Sequence, residues 1–293
     1  MEAKLYRALY QLVHSTPHTP RRKRERFSDG WVLMVHLWAV LHDRTQSWAC
    51  DPANWPADLD RPLISQSRLS RRLRTVGVLQ LLERVLARTS DLFGIPLVKQ
   101  IDSKPLTVGA YSKDTDARRG RLADGQFGKG YRLHVISHGR AVRHFTLLPL
   151  NEHDSAAAPS LLPRLEGGGY LLGDNAYDTN VCHGLAAAAN HQLVAPPREC
   201  NKDVRDAKYN LPQRLRALDI LHGPLTKCGV TPAFGRDLYN CRQRIESAFG
   251  GLTAVSLGAL PAWVRGARRV ALWAAGKILI FLCRQATNEG LIA

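Results

Sequence analysis

From Ile95 onward the chain alternates short strand-like runs with helical ones, an order that restricts it to a sheet covered by helices. Leu97 to Ile101 is the first strand signal. Gly130-Tyr-Arg-Leu-His-Val-Ile-Ser alternates as a half-buried strand, stops at His138-Gly139, and is followed by a second run from Ala141 to Leu148. These two form an antiparallel hairpin. Ser155 to Leu165 reads as helix, Gly167-Gly-Gly as a break, Tyr170 to Gly173 as a strand and Asp178 to Asn190 as a helix with an alanine-rich end. His191 to Ala195 is a short strand stopped by Pro196. The fold class is therefore α/β, a mixed sheet flanked by helices.

Residues 1–94 follow a different pattern and divide from residues 95–293. Leu5 to Val13 and Trp31 to Leu41 carry apolar residues at helical spacing. Pro52, Pro56 and Pro62 make the next stretch a loop. Ser65 or Ser67 can cap a short helix in which Leu69 and Leu73 point inward while Arg68, Arg71, Arg72 and Arg74 crowd the rest. Such a helix suits either a helix-turn-helix-like DNA-binding module or a solvated basic face. The run Arg21-Arg-Lys-Arg-Glu-Arg suits either a phosphate-contacting arm or a solvated loop. Near the other end, Val270 to Cys283 is too short for a membrane span and contains Lys277, so it reads as a buried core helix.

Charge narrows the function. Lys and Arg number 41 against 25 Asp and Glu, a net +16 with an isoelectric point near 10.0. A folded chain with that excess is attracted to a polyanion, most often nucleic acid or an anionic membrane surface. The six cysteines form no C-x-x-C pair and read as small apolar side chains of a reduced, intracellular protein. The N-terminus has no secretory h-region. A cytoplasmic location with no membrane partner is expected.

Three carboxylates carry the candidate chemistry. Asp102 follows the run ending at Ile101, Asp174 follows Tyr170-Leu-Leu-Gly, and Glu246 ends Tyr239-Asn-Cys-Arg-Gln-Arg-Ile-Glu, where Tyr239, Arg242 and Glu246 share one helical face. In α/β sheets, residues just past strand C-termini gather in a ligand-binding crevice. Two aspartates at strand ends and a glutamate on a helix suit two hard cations, Mg²⁺ or Mn²⁺, about 4 Å apart, which activate the attacking oxygen and stabilise the leaving one. Each residue also has a plainer reading. A lone aspartate at a strand end is more often a cap, and Arg242 with Glu246 fits a surface ion pair in the weaker orientation. His134, His138, His144 and His153 gather around the hairpin and read as strand and loop residues, with His153 nearest the site.

Taken in order, these motifs resemble the DDE transposases of prokaryotic insertion sequences, which have an RNase H-like catalytic core. The resemblance runs from about Ile95 to the C-terminus and rests on five segments. They are Ile101-Asp-Ser-Lys-Pro, Gly128-Lys-Gly-Tyr-Arg-Leu-His, Asn151-Glu-His-Asp, Gly173-Asp-Asn-Ala-Tyr-Asp and Tyr239-x-x-Arg242-x-x-x-Glu246. It implies that Asp102, Asp174 and Glu246 are catalytic metal ligands, and that Tyr239 and Arg242 contact DNA or position the phosphate near the site. Lys104 and Lys129, and Arg68, Arg71 and Arg72 of the basic helix, are the further expected DNA contacts. Many relatives carry a lysine seven positions after the glutamate; here that place is Thr253. The expected activity is cleavage and strand transfer at terminal inverted repeats, with double-stranded donor and target DNA as partners. A homodimer or larger complex would act at the nucleoid. Two other classes remain: an RNase H-like nuclease that cannot join strands, and an inactive DNA-binding repressor.

Overall fold

The computed structural model describes residues 2–17, 25–56, 61–122, 124–197, 205–223 and 233–292. The basic run at Arg21 to Arg24, Cys200 and Cys228 lie outside the described residues. Two compact units divide the chain. The first comprises Met1–Gly94, Ala254–Leu257 and Pro261–Ala293; the second comprises Ile95–Thr253 and Gly258–Leu260. The first unit thus runs to Gly94 and takes in Pro261–Ala293, and the second begins at Ile95.

The helical unit is built from α1 (Glu2–Ser15), α2 (Asp29–Leu41), α3 (Gln46–Ala49), α4 (Gln66–Arg72) and α5 (Val76–Asp91). Ser28 starts α2 by accepting a hydrogen bond from the Trp31 amide at 3.2 Å. On α5 the buried residues Val78, Leu81, Leu82 and Val85 repeat at helical spacing and give it one apolar face. A last helix of this unit, running from Ala267 to Asn288, is buried from Val270 to Cys283. It packs against α1, α2 and α5. Only a surrounding helical bundle covers a helix that is apolar on nearly every side, which is why it joins this unit. At 22 residues it is longer than the sequence run suggested and long enough to cross a membrane, yet 78% of its most apolar window is buried inside the protein. Lys277 on it pairs with Asp43 at 2.6 Å.

The second unit contains β1 (Val98–Thr107), β2 (Arg118–Arg121), β3 (Phe127–His138), β4 (Ala141–Pro149), β5 (Gly169–Leu172) and β6 (His191–Val194). Antiparallel β3 lies beside β1, and β2 and β4 pair successive parts of its other edge; β5 and β6 continue in parallel from β1. This is the mixed, RNase H-like sheet expected, with β2 as a strand the sequence did not announce. Gly139 turns the β3–β4 hairpin at φ +61°.

The helices of this unit are α6 (Ala158–Leu161), α7 (Asn180–Ala188), α8 (Pro212–His222), α9 (Ala233–Asn240) and α10 (Arg244–Ala254), which leaves α11 for Ala267–Asn288. Pro159 and Pro163 reduce the expected Ser155–Leu165 helix to α6 between two 3-10 turns. Alternation along the central strands feeds two cores. Leu171 and Leu193 pack with Leu161, Leu162, Cys182 and Ala186 of α6, α7 and their flanks, whereas Leu172 and Val194 pack with Leu221 and Leu238 of α8 and α9.

Candidate active site

Asp102 is not at a strand end. Strand β1 runs on to Thr107 because its antiparallel pairing with β3 continues to Thr107↔Gly130, while its parallel pairing with β5 stops at Gln100↔Leu172. Pro105 is tolerated there because that edge of β1 has no ladder partner among the described residues. Asp102 therefore sits inside β1 where the neighbouring strand leaves the sheet. Asp174 lies two residues beyond the end of β5. Its carboxylate accepts from the Ala176 amide at 2.9 Å and caps the 3-10 turn Asn175–Tyr177.

The charge of Asp174 acts on Asp102. Burial pushes the Asp102 carboxyl up to about 6; the Ser103 amide and the Arg242 guanidinium oppose the rise, and the charges of Asp174 and Asp154 add to it. Burial also raises Asp174, again with Asp154 adding. Asp154 is thus the acid near the pair that the sequence reading missed. The 3-10 turn that it begins packs against the turn capped by Asp174. Its carboxylate takes two hydrogen bonds from Arg132 at 3.1 and 3.2 Å and lies 3.7 Å from the buried His134 ring. His153, expected nearest the site, is exposed, and its ring accepts the Ser155 amide at 3.2 Å instead. The motif Asn151-Glu-His-Asp held the signal, one residue further on.

Tyr239 and Arg242 both reach the aspartates. The Tyr239 hydroxyl donates to the Gly173 carbonyl at 3.1 Å, next to Asp174, and Arg242 pairs with Asp102 at 3.1 Å. Glu246 does not follow them. The expected single helix is broken into α9, a 3-10 turn at Cys241–Gln243, and α10. Three residues at 3.0 rather than 3.6 per turn rotate the following helix by about 60°. Ile245, Ala248 and Leu252 then face the core and Glu246 is exposed. Among the described residues, no three His, Cys, Asp or Glu side chains stand close enough to share one ion. Asp102 and Asp174 do fit a hard divalent cation. They offer carboxylate oxygens whose ionisation is suppressed by burial and, in Asp102, also by the charge of Asp174, a cost that a cation would relieve.

The remaining expected contacts divide. Lys104 on β1 donates to the Thr253 hydroxyl at 2.8 Å, and Lys129 on β3 donates to the Ser112 carbonyl at 2.7 Å. On α4, Arg68 and Arg71 are exposed, but Arg72 is held by Asp29 at 2.6 Å and by the Phe27 carbonyl at 3.1 Å. Behind the Asp174 turn, Arg214 grips Asp178 with two hydrogen bonds, at 2.6 and 2.9 Å, and His183 adds a third at 3.0 Å. Burial works to raise Asp178, yet these partners hold it below its ordinary value. They tie the end of the Gly173-Asp-Asn-Ala-Tyr-Asp segment to α7 and α8.

No curated protein matches the chain. Solved structures with a distant likeness include two transposase complexes. The cryo-EM structure of a piggyBac transposase synaptic complex with hairpin DNA is 9% identical, with a TM-score of 0.46 over 98% of this chain and 76% of that one. The Mos1 transposase paired-end complex with left transposon end is 14% identical, with a TM-score of 0.24 over 80% and 81% of the two chains. Likenesses this distant say nothing about the site. The sequence profile of the transposase DDE domain, by contrast, matches residues 96–283, and its members are metal-dependent enzymes that cut DNA and transfer strands. With well over half its length matched, this chain belongs to the transposase DDE domain family.

Proposed function

We propose that the chain binds the terminal inverted repeats of its own element, hydrolyses the DNA backbone there, and joins the freed 3′-hydroxyl to target DNA. The observation that supports this reading is that Asp102, in β1 where β5 leaves the sheet, feels the charge of Asp174, while Arg242 pairs with Asp102 and Tyr239 bonds the carbonyl just before Asp174. In the first step water attacks the phosphorus, the bond to the 3′-oxygen breaks, and a 3′-hydroxyl and a 5′-phosphate remain. In the second step that hydroxyl attacks a target phosphodiester and displaces its 3′-oxygen. Asp102 and Asp174 would hold Mg²⁺ or Mn²⁺, with Glu246 as the third ligand. The bound ions supply activation of the attacking oxygen and stabilisation of the leaving one. Rewinding Cys241–Gln243 into α-helix would turn Glu246 toward the face of Tyr239 and Arg242.

This chain's own side chains do the positioning. Arg242 is the cation beside Asp102, suited to a DNA phosphate once it exchanges partners. Tyr239 braces the backbone before Asp174. Lys104, resting on Thr253, brings an ammonium to the place where relatives carry a lysine on the helix, so we assign it that lysine's contact with DNA. Arg68 and Arg71 of α4 are exposed and would grip phosphates of the terminal repeat. Bringing two ends together requires at least two copies of the chain.

Strand joining tests the proposal. With Mg²⁺ or Mn²⁺, a pre-nicked donor end and a supercoiled target, the protein should yield joined product, and Arg242→Ala should lower joining about tenfold more than nicking of an intact end, since attack by a tethered hydroxyl depends more on alignment. Nicking without any joining would favour the nuclease reading; binding with neither would favour the repressor.

A further inference from the structure

The turn that carries Asp174 is fixed from a distance. Asp174 accepts from within its own turn, from the Ala176 amide, so its carboxylate stands wherever the turn stands. The backbone of that turn is stiff. The Tyr177 amide donates to the Asp174 carbonyl at 3.1 Å, the Asp178 amide to the Asn175 carbonyl at 3.3 Å, and the Thr179 amide to the Tyr177 carbonyl at 2.8 Å. Residues linked in this way move as one body, so whatever holds Asp178 also holds Asp174.

Asp178 is held by a buried fork. It is 3% exposed and Arg214 is 6% exposed. Nε of Arg214 donates to Oδ1 of Asp178 at 2.9 Å and Nη2 to Oδ2 at 2.6 Å, so both carboxylate oxygens are engaged. The buried His183 ring adds a third hydrogen bond from Nε2 to Oδ1 at 3.0 Å. Nη1, the remaining guanidinium nitrogen, donates to Oδ1 of Asn210 at 2.6 Å and fixes the plane of the fork. Arg214 belongs to α8, which packs against β6 and α7. The fork therefore ties the Asp174 turn to the body of the sheet unit, through a residue 36 positions along the chain from Asp178.

Stability alone does not account for this arrangement. Taking a carboxylate and a guanidinium out of water costs about as much as their attraction returns, and well-packed apolar residues of similar volume often serve the fold as well. What an apolar pair lacks is direction. Two parallel hydrogen bonds to a planar fork fix a carboxylate in both position and plane. Losing a partner that orients a metal ligand lowers metal affinity or rate by about 10–100-fold.

We propose that Arg214 and Asp178 are positioning residues, whose fork sets where the Asp174 carboxylate stands and so how well it holds a divalent cation for cleavage. The inference rests on the reading of Asp174 as a metal ligand.

The test uses the full chain and two readouts: the rise in melting temperature on adding Mn²⁺ without DNA, and cleavage of a labelled end fragment. Arg214→Lys keeps the charge and loses the fork. It should need about tenfold more Mn²⁺ for half of the rise, and should lower kcat about tenfold or more with KM for DNA unchanged. The double variant Asp178→Leu with Arg214→Met separates positioning from folding. It should melt within a few degrees of the unsubstituted protein in the absence of metal, yet show the same weakened response to Mn²⁺ and the same loss of kcat. Asp219→Asn, which breaks the exposed pair of α8 with Arg205, should change neither readout. Should the double variant fail to fold, Arg214→Lys assayed below its melting temperature decides alone. An unchanged Mn²⁺ response and kcat in Arg214→Lys, a loss that falls on KM only, or recovery of both readouts in the double variant would overturn the proposal, since the pair would then only hold the fold together. An unsubstituted protein that neither responds to Mn²⁺ nor cleaves would overturn the metal reading of Asp174 itself, and this proposal with it.

Discussion

Asp102 and Glu246 show how differently two members of one proposed triad can be held. Asp102 is largely buried, braced by the Ser103 amide and paired with Arg242, whereas Glu246 is exposed. Removing either carboxylate, or that of Asp174, should lower cleavage of a labelled end fragment about a thousandfold or more, with duplex binding nearly unchanged. Their effects on folding should separate. Glu246→Ala touches an exposed side chain and should shift stability by no more than about 0.5 kcal/mol, which a denaturant titration reads directly. Cleavage by Glu246→Ala at the unsubstituted rate would remove that residue from the site and leave the two aspartates to be completed by another acid, for which Asp154 stands nearest.

Helix α4 looked uniform in sequence, but its arginines have two occupations. Arg68 and Arg71 lie exposed, while Arg72 ties α4 to the start of α2 through Asp29. Arg68→Ala and Arg71→Ala should each flatten the slope of log K against log salt by about one, the signature of one lost phosphate contact. Arg72→Ala should instead destabilise the helical unit by about 1–3 kcal/mol, because it leaves Asp29 partly buried and unpaired. Filter-binding salt titrations and thermal melts of the three variants separate these outcomes. A steep salt slope preserved in Arg68→Ala and Arg71→Ala would mean that α4 is merely solvated.

Across the whole molecule, buried titratable groups set an acid limit. Burial is the main cause that holds His36, His134 and His144 at about 4, below their ordinary 6.5. A histidine depressed on folding binds its proton more readily in the unfolded chain, so the stability it contributes is present above pH 6.5 and is lost as the pH falls toward 4. Asp102 has the opposite sign. Raised from 3.8 to about 6, it favours the folded state below 3.8, and that contribution is lost as the pH rises through 6. Asp174, also raised, acts with Asp102, and His191, also lowered, acts with the other histidines, so four histidines outweigh two aspartates. The melting temperature of the metal-free protein should fall steadily between pH 6.5 and 4, and replacing His144 with a neutral residue of similar size should shallow the fall. A melting temperature that rises over that range would show that the carboxylates dominate.

The sequence by itself determined the order of elements, the mixed sheet and the neighbourhood of each expected acid, because hydrophobic periodicity, prolines and glycines act locally. It could place Asp174 past its strand, since Gly173 and the Asn175–Tyr177 turn are encoded within a few residues. Only the tertiary structure decided the rest. Asp102 lies within β1 because the pairing partner on one side ends and the other continues, a fact of register that no local pattern carries. Asp154 joins the aspartates because two turns distant in sequence pack together. Glu246 turns away because three residues wind as 3-10 rather than α-helix, a change of phase that identical periodicity conceals. The C-terminal helix leaves the sheet for the helical unit because a segment apolar on nearly every side goes where enough surfaces surround it, and that depends on what the rest of the chain has built.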